Sequence, residues 1–487
     1  MMKYIKYYLL GGLLLILASC SEKALDNINK DVNDPTSVLS TNELPSVIVE
    51  SSYGTTATDM AWYASLFIEQ SAGVDEQFYD ADRRNGVTAS SLLDNSWNSV
   101  YNNLAILKDI IVKCSPGGSE SDNKETLGIA QILTAYNLAI VTDMWGQAPW
   151  TDALEGAKNL HPKFDSQKQI YDSLFVLLNH AISNLSMTPS NIEASALPKQ
   201  DLMYGGDASL WIKAAWSLKA RYFMHIEKVV PSAVDSVLAC VGHGFTGGND
   251  ALVFTKYEAT DIGSNPWWAL TYYERGDLCS GKTLYDLMSA RNDPRISAYF
   301  TTADPTDPTS TIFPAPNGTA DRTRAGYGEY SYSNITGNEN DRTSPTPLMS
   351  YHELLFLKAE AMARKGQDFK ATLKSAIEAN FDYHSVSGAD LYYTLEVLPK
   401  LGLSSAGDIN EIMTQKYIAF YEAESLEAYN DYRRTGIPQL NNPNNNLASY
   451  GFVVRFPYPT SEVTANTDNV PSVNVFKDKI WWAGGTE

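Results

Sequence analysis

The chain has 487 residues, 44% of them hydrophobic and 19% charged, with a formal net charge of −20. That balance describes a globular protein able to bury large cores and excludes disordered and collagen-like classes. So acidic a surface repels phosphates and releases no counterions, which sets aside nucleic acid and disfavours docking on an anionic lipid face.

The first elements are read from the N-terminus. Lys3 and Lys6 form a short basic region, Leu9 to Leu17 an apolar core broken only by Gly11 and Gly12, and Leu17-Ala18-Ser19-Cys20 closes the segment. The run is too short to cross roughly 30 Å of hydrocarbon as a permanent helix and reads as a cleaved signal. The cysteine directly after small residues resembles the bacterial lipoprotein signal, in which the thiol is diacylated and the chain is cut just before it. On that reading residues 1–19 leave, and Cys20 anchors the mature protein through enough methylenes for stable attachment. No other segment approaches about 18 consecutive apolar residues. Cys114, Cys240 and Cys279 remain, so at most one disulfide forms, and Cys114 reads as a small buried hydrophobe closing a helical stripe.

Residues 20–45 are rich in Asn, Asp, Ser and Thr and read as a lipidated tether. Residues 46–230 then show helical periodicity. Val100, Tyr101, Leu104, Leu107, Ile111 and Cys114 recur at spacings of three and four. So do Ile129, Leu133, Tyr136 and Ile140, then Ile170, Leu174, Leu177, Ala181 and Leu185, and finally Trp211, Ala215, Leu218 and Tyr222. Each spacing predicts an amphipathic helix packing one face inward. In residues 231–350 the pattern fails, apart from a short helix expected over 281–290. The rest is dense in Gly, Pro, Asn, Thr and aromatics, and loops this long are usually functional. Residues 351–487 return to helices: Tyr351 to Lys365 stopped by Gly366, a partner marked by Phe369, Leu373 and Ile377, and a third capped by Asp408 with Glu411 reaching back. The expected fold is mainly α, a tetratricopeptide-like helical-repeat scaffold with long irregular loop regions, although no clean 34-residue period is present.

Specific strings carry a family resemblance. Asp143-Met144-Trp145-Gly146-Gln147-Ala148-Pro149-Trp150-Thr151-Asp152-Ala153 resembles the Asp-x-x-Gly-x-x-Pro-x-x-x-Ala turn of the SusD/RagB family of outer-membrane nutrient-binding lipoproteins. Glu353 to Ala361 resembles that family's late repeat helix. Gln415 to Tyr421, then Glu424 to Thr435 with Asp431-Tyr432-Arg433-Arg434-Thr435-Gly436, is similar to its C-terminal helix and Arg-Arg-Thr-Gly turn. Arg455 to Glu462, with Trp481-Trp482, resembles the closing segment of a SusD-like sub-branch. The resemblance implies a lipoprotein of the outer-membrane surface that captures oligosaccharides and delivers them to a SusC-like TonB-dependent transporter. It implies no catalysis. The same scaffold binding peptides is one alternative, and a cell-surface glycoside hydrolase is another.

Candidate ligand residues are aromatics outside the helical stripes, because sugar rings pack flat C–H faces on indole and phenol while hydroxyls need planar polar partners. Two loop clusters fit: Asp75-Glu76-Gln77-Phe78-Tyr79 with Arg83 and Arg84, and Asn265-Pro266-Trp267-Trp268 followed by Tyr272 and Tyr273. A third comprises Tyr327, Tyr330 and Tyr332. The alternative for all three is that the rings only cover the scaffold beneath long loops. Periodicity instead assigns Trp97, Tyr101, Trp211 and Tyr222 to the core. Asp431, Arg433 and Arg434 suit buried ion-pair and carbonyl-capping roles.

Enzyme motifs are thin. Gly-x-Ser-x-Gly and His-Glu-x-x-His patterns are missing from the sequence. Six histidines are scattered, and the strand–helix alternation of barrel glycosidases does not occur. Asp26 to Asp34 offers calcium-like oxygens but lacks the glycine and terminal glutamate of an EF-hand loop. No cofactor and no essential metal are expected.

Overall fold

The longest helix among the described residues, Lys124–Trp145, is apolar and central, buried on every side in the computed structural model. A helix hydrophobic all round must be enclosed by others, and the elements around it do this. The structure describes residues 38–304, 307, 309–321, 330–446 and 450–487. In chain order they begin with α1 (Ser40–Glu50), α2 (Asp59–Phe67), strand β1 (Ser71–Gly73), α3 (Glu76–Asp82), α4 (Asp94–Cys114) and the central α5 (Lys124–Trp145). Next come α6 (Gln167–Leu185), α7 (Asn191–Gln200), α8 (Ala208–His225) and α9 (Ala233–Val241). Short elements follow: β2 (Leu252–Phe254), α10 (Pro266–Trp268), β3 (Leu278–Ser280), α11 (Lys282–Ser289), α12 (Ile296–Tyr299) and β4 (Thr346–Met349). The chain closes with α13 (Tyr351–Arg364), α14 (Lys370–Tyr383), α15 (Ser405–Ala419) and α16 (Ser425–Thr435).

Successive helices pack on one another: α4 on α5, α5 on α6, α6 on α8, α8 on α9, then α13 on α14 and α15. This is the mainly α helical-repeat scaffold that the periodicity predicted. Gly128 lets α5 approach α6, because a Cβ there would fall 2.6 Å from the Leu185 side chain. Ser166 and Ser190 start α6 and α7 with capping boxes. The Glu193 carboxylate of the second box also accepts the Thr126 amide at 2.7 Å, tying α7 to the start of α5.

Three expectations change. The stretch read as tether is folded by Ser40, whose amide and hydroxyl bond Glu120 at 3.2 and 2.7 Å. Its polar composition hides a stripe of Leu44, Val47 and Ile48, all buried on α1 despite Pro45 inside the helix. Second, α15 is capped by Ser404, which accepts from the Gly407 amide at 3.1 Å. Asp408 lies in its first turn and accepts from Gly402 instead. Third, Leu178 is buried on α6 where Leu177 is only half-buried. Cys114, Cys240 and Cys279 are all free and buried, within the limit of one disulfide and with Cys114 the buried small hydrophobe expected, and burial pushes the first two thiols to about 11 and Cys279 to about 12. Cys20 lies outside the described residues.

Two short antiparallel pairings order the irregular stretch, the first tying it to the body and the second lying within it. β1 pairs with β3, Ala72 opposite Cys279. β2 pairs with β4 through an irregularity between Leu252 and Val253.

Candidate ligand-binding site

The Asp-x-x-Gly turn and the Arg-Arg-Thr-Gly helix, the two most motif-like stretches, meet in the interior. Gly146 has φ +81°, and a Cβ there would press on the Arg455 guanidinium at 3.0 Å. Trp145 donates to the Pro457 carbonyl at 2.8 Å, and Phe456 donates to that of Met144 at 2.9 Å. Asp143 accepts from Tyr171 at 2.6 Å and from the Trp482 indole at 2.8 Å. His225 bonds Glu427 at 2.8 Å and lies 3.4 Å from Asp143. Arg434 pairs with Glu360 and Asp431 at 2.6 and 2.7 Å, and Arg221 with Glu353 at 2.5 Å. These residues are buried and hold helices together, which is the structural role expected for Asp431, Arg433 and Arg434. Asp143, His225 and Glu427 have metal-like spacing. The two carboxylates raise His225 to about 9 against its desolvation, so the three side chains hold one another by charge.

The three aromatic clusters of the sequence, by contrast, converge on one face. Val74 donates to the Asp277 carbonyl, Ser280 to that of Ser331 and Ala315 to that of Ser280, each at 2.9 Å. Gly318 donates to the Asp82 carboxylate at 2.8 Å. Segments near 75, at 277–280, at 315–321 and at 330–332 therefore form one layer, sealed by Ala72, Val74, Cys279, Ala315, Ala320 and Tyr330.

Within this layer several predicted ligand residues turn inward. The Asp75 cluster is no loop: Asp75 caps α3, accepting from the Glu76 amide at 2.9 Å. Phe78 is fully buried against Tyr63 and Trp62 at 5.3 and 6.3 Å. Trp267 and Trp268, 4% and 0% exposed, also lie in a short helix, α10, running into a wider turn over Ala269–Glu274. Asn265 is its cap, accepting from both indole-bearing residues' amides at 2.8 and 3.3 Å and donating to Ser344 at 2.9 Å. Buried rings and a committed amide offer no face to a ligand. These four side chains are supports, because a region without long helices must build its core from large aromatics.

What stays accessible is the second layer they hold. Trp268 stacks under Tyr272 at 5.5 Å and donates to the Asn338 carbonyl at 2.9 Å, with the Arg342 guanidinium 4.5 Å from its ring centre. Tyr272, half-buried, opens onto a cleft of about 330 Å³ with Phe300, Tyr332, Asn334 and Asn338. Tyr332 is set by donating to the Gly276 carbonyl at 3.1 Å. Behind the cleft wall, burial raises Glu422 to about 7, offset in part by the Ser333 and Thr336 hydroxyls.

A neighbouring part of the face carries Tyr79, half-buried, with the Arg83 guanidinium 3.5 Å above its ring and donating to the Ala320 carbonyl. Gln77 is exposed and lines an acidic cleft of about 520 Å³ with Asp59, Asp80 and Asp94. Tyr330 is 8% exposed and covered by Phe313, whose ring lies parallel at 5.6 Å and is 56% exposed. Phe313, Phe300 and the two asparagines escaped the sequence reading because they follow no motif and sit in separate loops. Tyr327 and the side chain of Tyr273 lie outside the described residues.

A cleft of this size, walled by tyrosine faces, amides and hydroxyls, lies at the lower end of the range of small-ligand sites. Carried on a helical-repeat body, it is the candidate ligand site of the chain. The chain belongs to the SusD-like family: the family model described as starch-binding, associating with the outer membrane, matches residues 33–459. A SusD/RagB family protein of Bacteroides thetaiotaomicron is 32% identical and superposes with a TM-score of 0.82 over 93% of this chain and 100% of its own. A chitin-binding SusD homologue of Flavobacterium johnsoniae is 21% identical, TM-score 0.75, over 91% and 98%. A SusD homologue of Bacteroides uniformis is 22% identical, TM-score 0.74, over 92% and 100%. No curated protein matches the chain.

Proposed function

We propose that this protein captures oligosaccharides at the outer membrane, held there by lipid on Cys20, and passes them to a SusC-like TonB-dependent transporter without chemical change. The observation carrying the reading is the cleft at Tyr272, where aromatic faces and planar amides stand together on the irregular face. Tyr272 and Tyr332 offer rings for sugar C–H faces, and Asn334 and Asn338 offer amide groups for hydroxyls. Gln77, Tyr79, Arg83 and Phe313 extend the same face toward a longer chain. The family description and the chitin-binding relative support glycan over peptide. Delivery to a transporter favours shallow binding, at micromolar strength or weaker, which corresponds to about −8 kcal/mol or less in magnitude.

Calorimetric titration of residues 21–487 against oligosaccharides and mixed peptides tests this. Saturable glycan binding, lost in Tyr272→Ala with the thermal midpoint kept, is the expected result. Peptide binding alone overturns the glycan assignment, and turnover of a glycan overturns the binding-protein reading. Co-purification with a barrel partner in mild detergent tests the transporter.

A further inference from the structure

Beyond the C-terminal end of α16 lies another cavity, of about 320 Å³, that shares no residue with the Tyr272 cleft. Its wall carries Lys228, Arg433, Arg434 and Lys479 and, among the described residues, no Asp or Glu. Four cations around one small cavity run against the −20 net charge of the chain.

The four are compensated unequally. Arg434 is matched by Glu360, Asp431 and, at 3.3 Å, Glu227. Arg433 gives its donors to neutral acceptors instead: the Asp143 carbonyl at 2.6 Å, the Val454 carbonyl at 3.3 Å and the Asn430 amide oxygen at 2.5 Å. Its guanidinium lies 4.1 and 5.0 Å from the Tyr429 and Trp482 ring centres, the residue is 8% exposed, and its Nε has no hydrogen-bond partner. Lys228 is exposed and donates to the Ala483 carbonyl at 3.3 Å. Lys479 is exposed too, and neither lysine forms an ion pair among the described residues. The remaining wall is flat and apolar: Tyr432 and Phe452, both half-buried, have ring centres 4.5 Å apart. Space beside Gly436 is open, since a Cβ there would meet nothing within 4 Å.

We propose that this cavity binds a small anionic sugar, one ring against Tyr432 and Phe452 with its carboxylate or phosphate facing Lys228, Lys479 and Arg433. A partly buried guanidinium flanked by two unpaired ammoniums favours an oxyanion. The volume lies at the lower end for small-ligand cavities, room for a single ring rather than a chain. The site is independent of the Tyr272 cleft, so each reading fails on its own.

The test is calorimetric titration of residues 21–487 with sodium glucuronate and glucose 6-phosphate, with glucose and inorganic phosphate as controls. At least one anionic sugar should bind roughly tenfold or more tightly than glucose or phosphate, and its affinity should fall as salt is added. Glucuronate alone assigns the carboxylate, and glucose 6-phosphate alone the phosphate. The double variant Lys228→Ala/Lys479→Ala should weaken binding roughly tenfold or more while its thermal midpoint stays, because both side chains are exposed. Tyr272→Ala should leave this binding unchanged. Failure of both sugars to bind, free phosphate binding as tightly as they do, or full affinity in the double variant overturns the proposal.

Discussion

The helical body and the irregular face solve the same burial problem with different material. In the body, periodic stripes on α4, α5, α6 and α8, largely aliphatic, fill the core, and Arg434 there is matched by Glu360 and Asp431. The face has no long helix to supply stripes. It buries Phe78, Trp267 and Trp268 and covers them with half-buried Tyr79 and Tyr272. Large rings in a loop-rich segment are therefore as much a local core as a ligand platform, and their layer in the stack decides which.

The sharpest challenge to this comparison is Trp268→Ala. If the face has a core of its own, the substitution should destabilise by about 3–5 kcal/mol, as a body tryptophan such as Trp211 would. Urea unfolding measures this, and a loss no larger than that of an exposed residue would return Trp268 to the role of loop cover. Next in size is pH. His225 in the body is raised from 6.5 to about 9, so its contribution is complete below 6.5 and lost as pH rises through about 9. The effect is of the order of 3 kcal/mol. Glu422 beneath the face is raised from 4.5 to about 7, so stability linked to it falls between those values. Urea midpoints followed across pH should show both limbs, with Glu422→Gln flattening the lower and His225→Gln the upper. The smallest effect belongs to Asn265→Ala, which removes the α10 cap at about 1 kcal/mol. It should nevertheless loosen Tyr272 and weaken glycan binding more than it lowers the melting midpoint.

Most of the body was legible in the sequence. Period-3.6 stripes marked α4, α5, α6 and α8, and Gly366, with φ +68°, closes α13 as read. Boundaries failed where several polar residues compete to cap, as Ser404 and Asp408 do before α15. The tether reading failed because composition outweighed the three-residue stripe on α1. For the site, the sequence located the right segments but not the accessible atoms. Tyr272 lines the cleft, whereas Trp267 and Trp268 stand behind it. Phe300, Phe313, Asn334 and Asn338 come from loops whose meeting is set by β1–β3 pairing and by bonds such as Gly318 to Asp82. Such contacts leave no period in a single sequence.

The Asp143 carboxylate receives one of its donors from Trp482, 339 positions later in the chain. The charged interior is thus complete only once the segment carrying Trp482 has docked against Asp143 and His225. Clipping the final half-dozen residues should accordingly harm folding yield far more than the small area they cover would suggest.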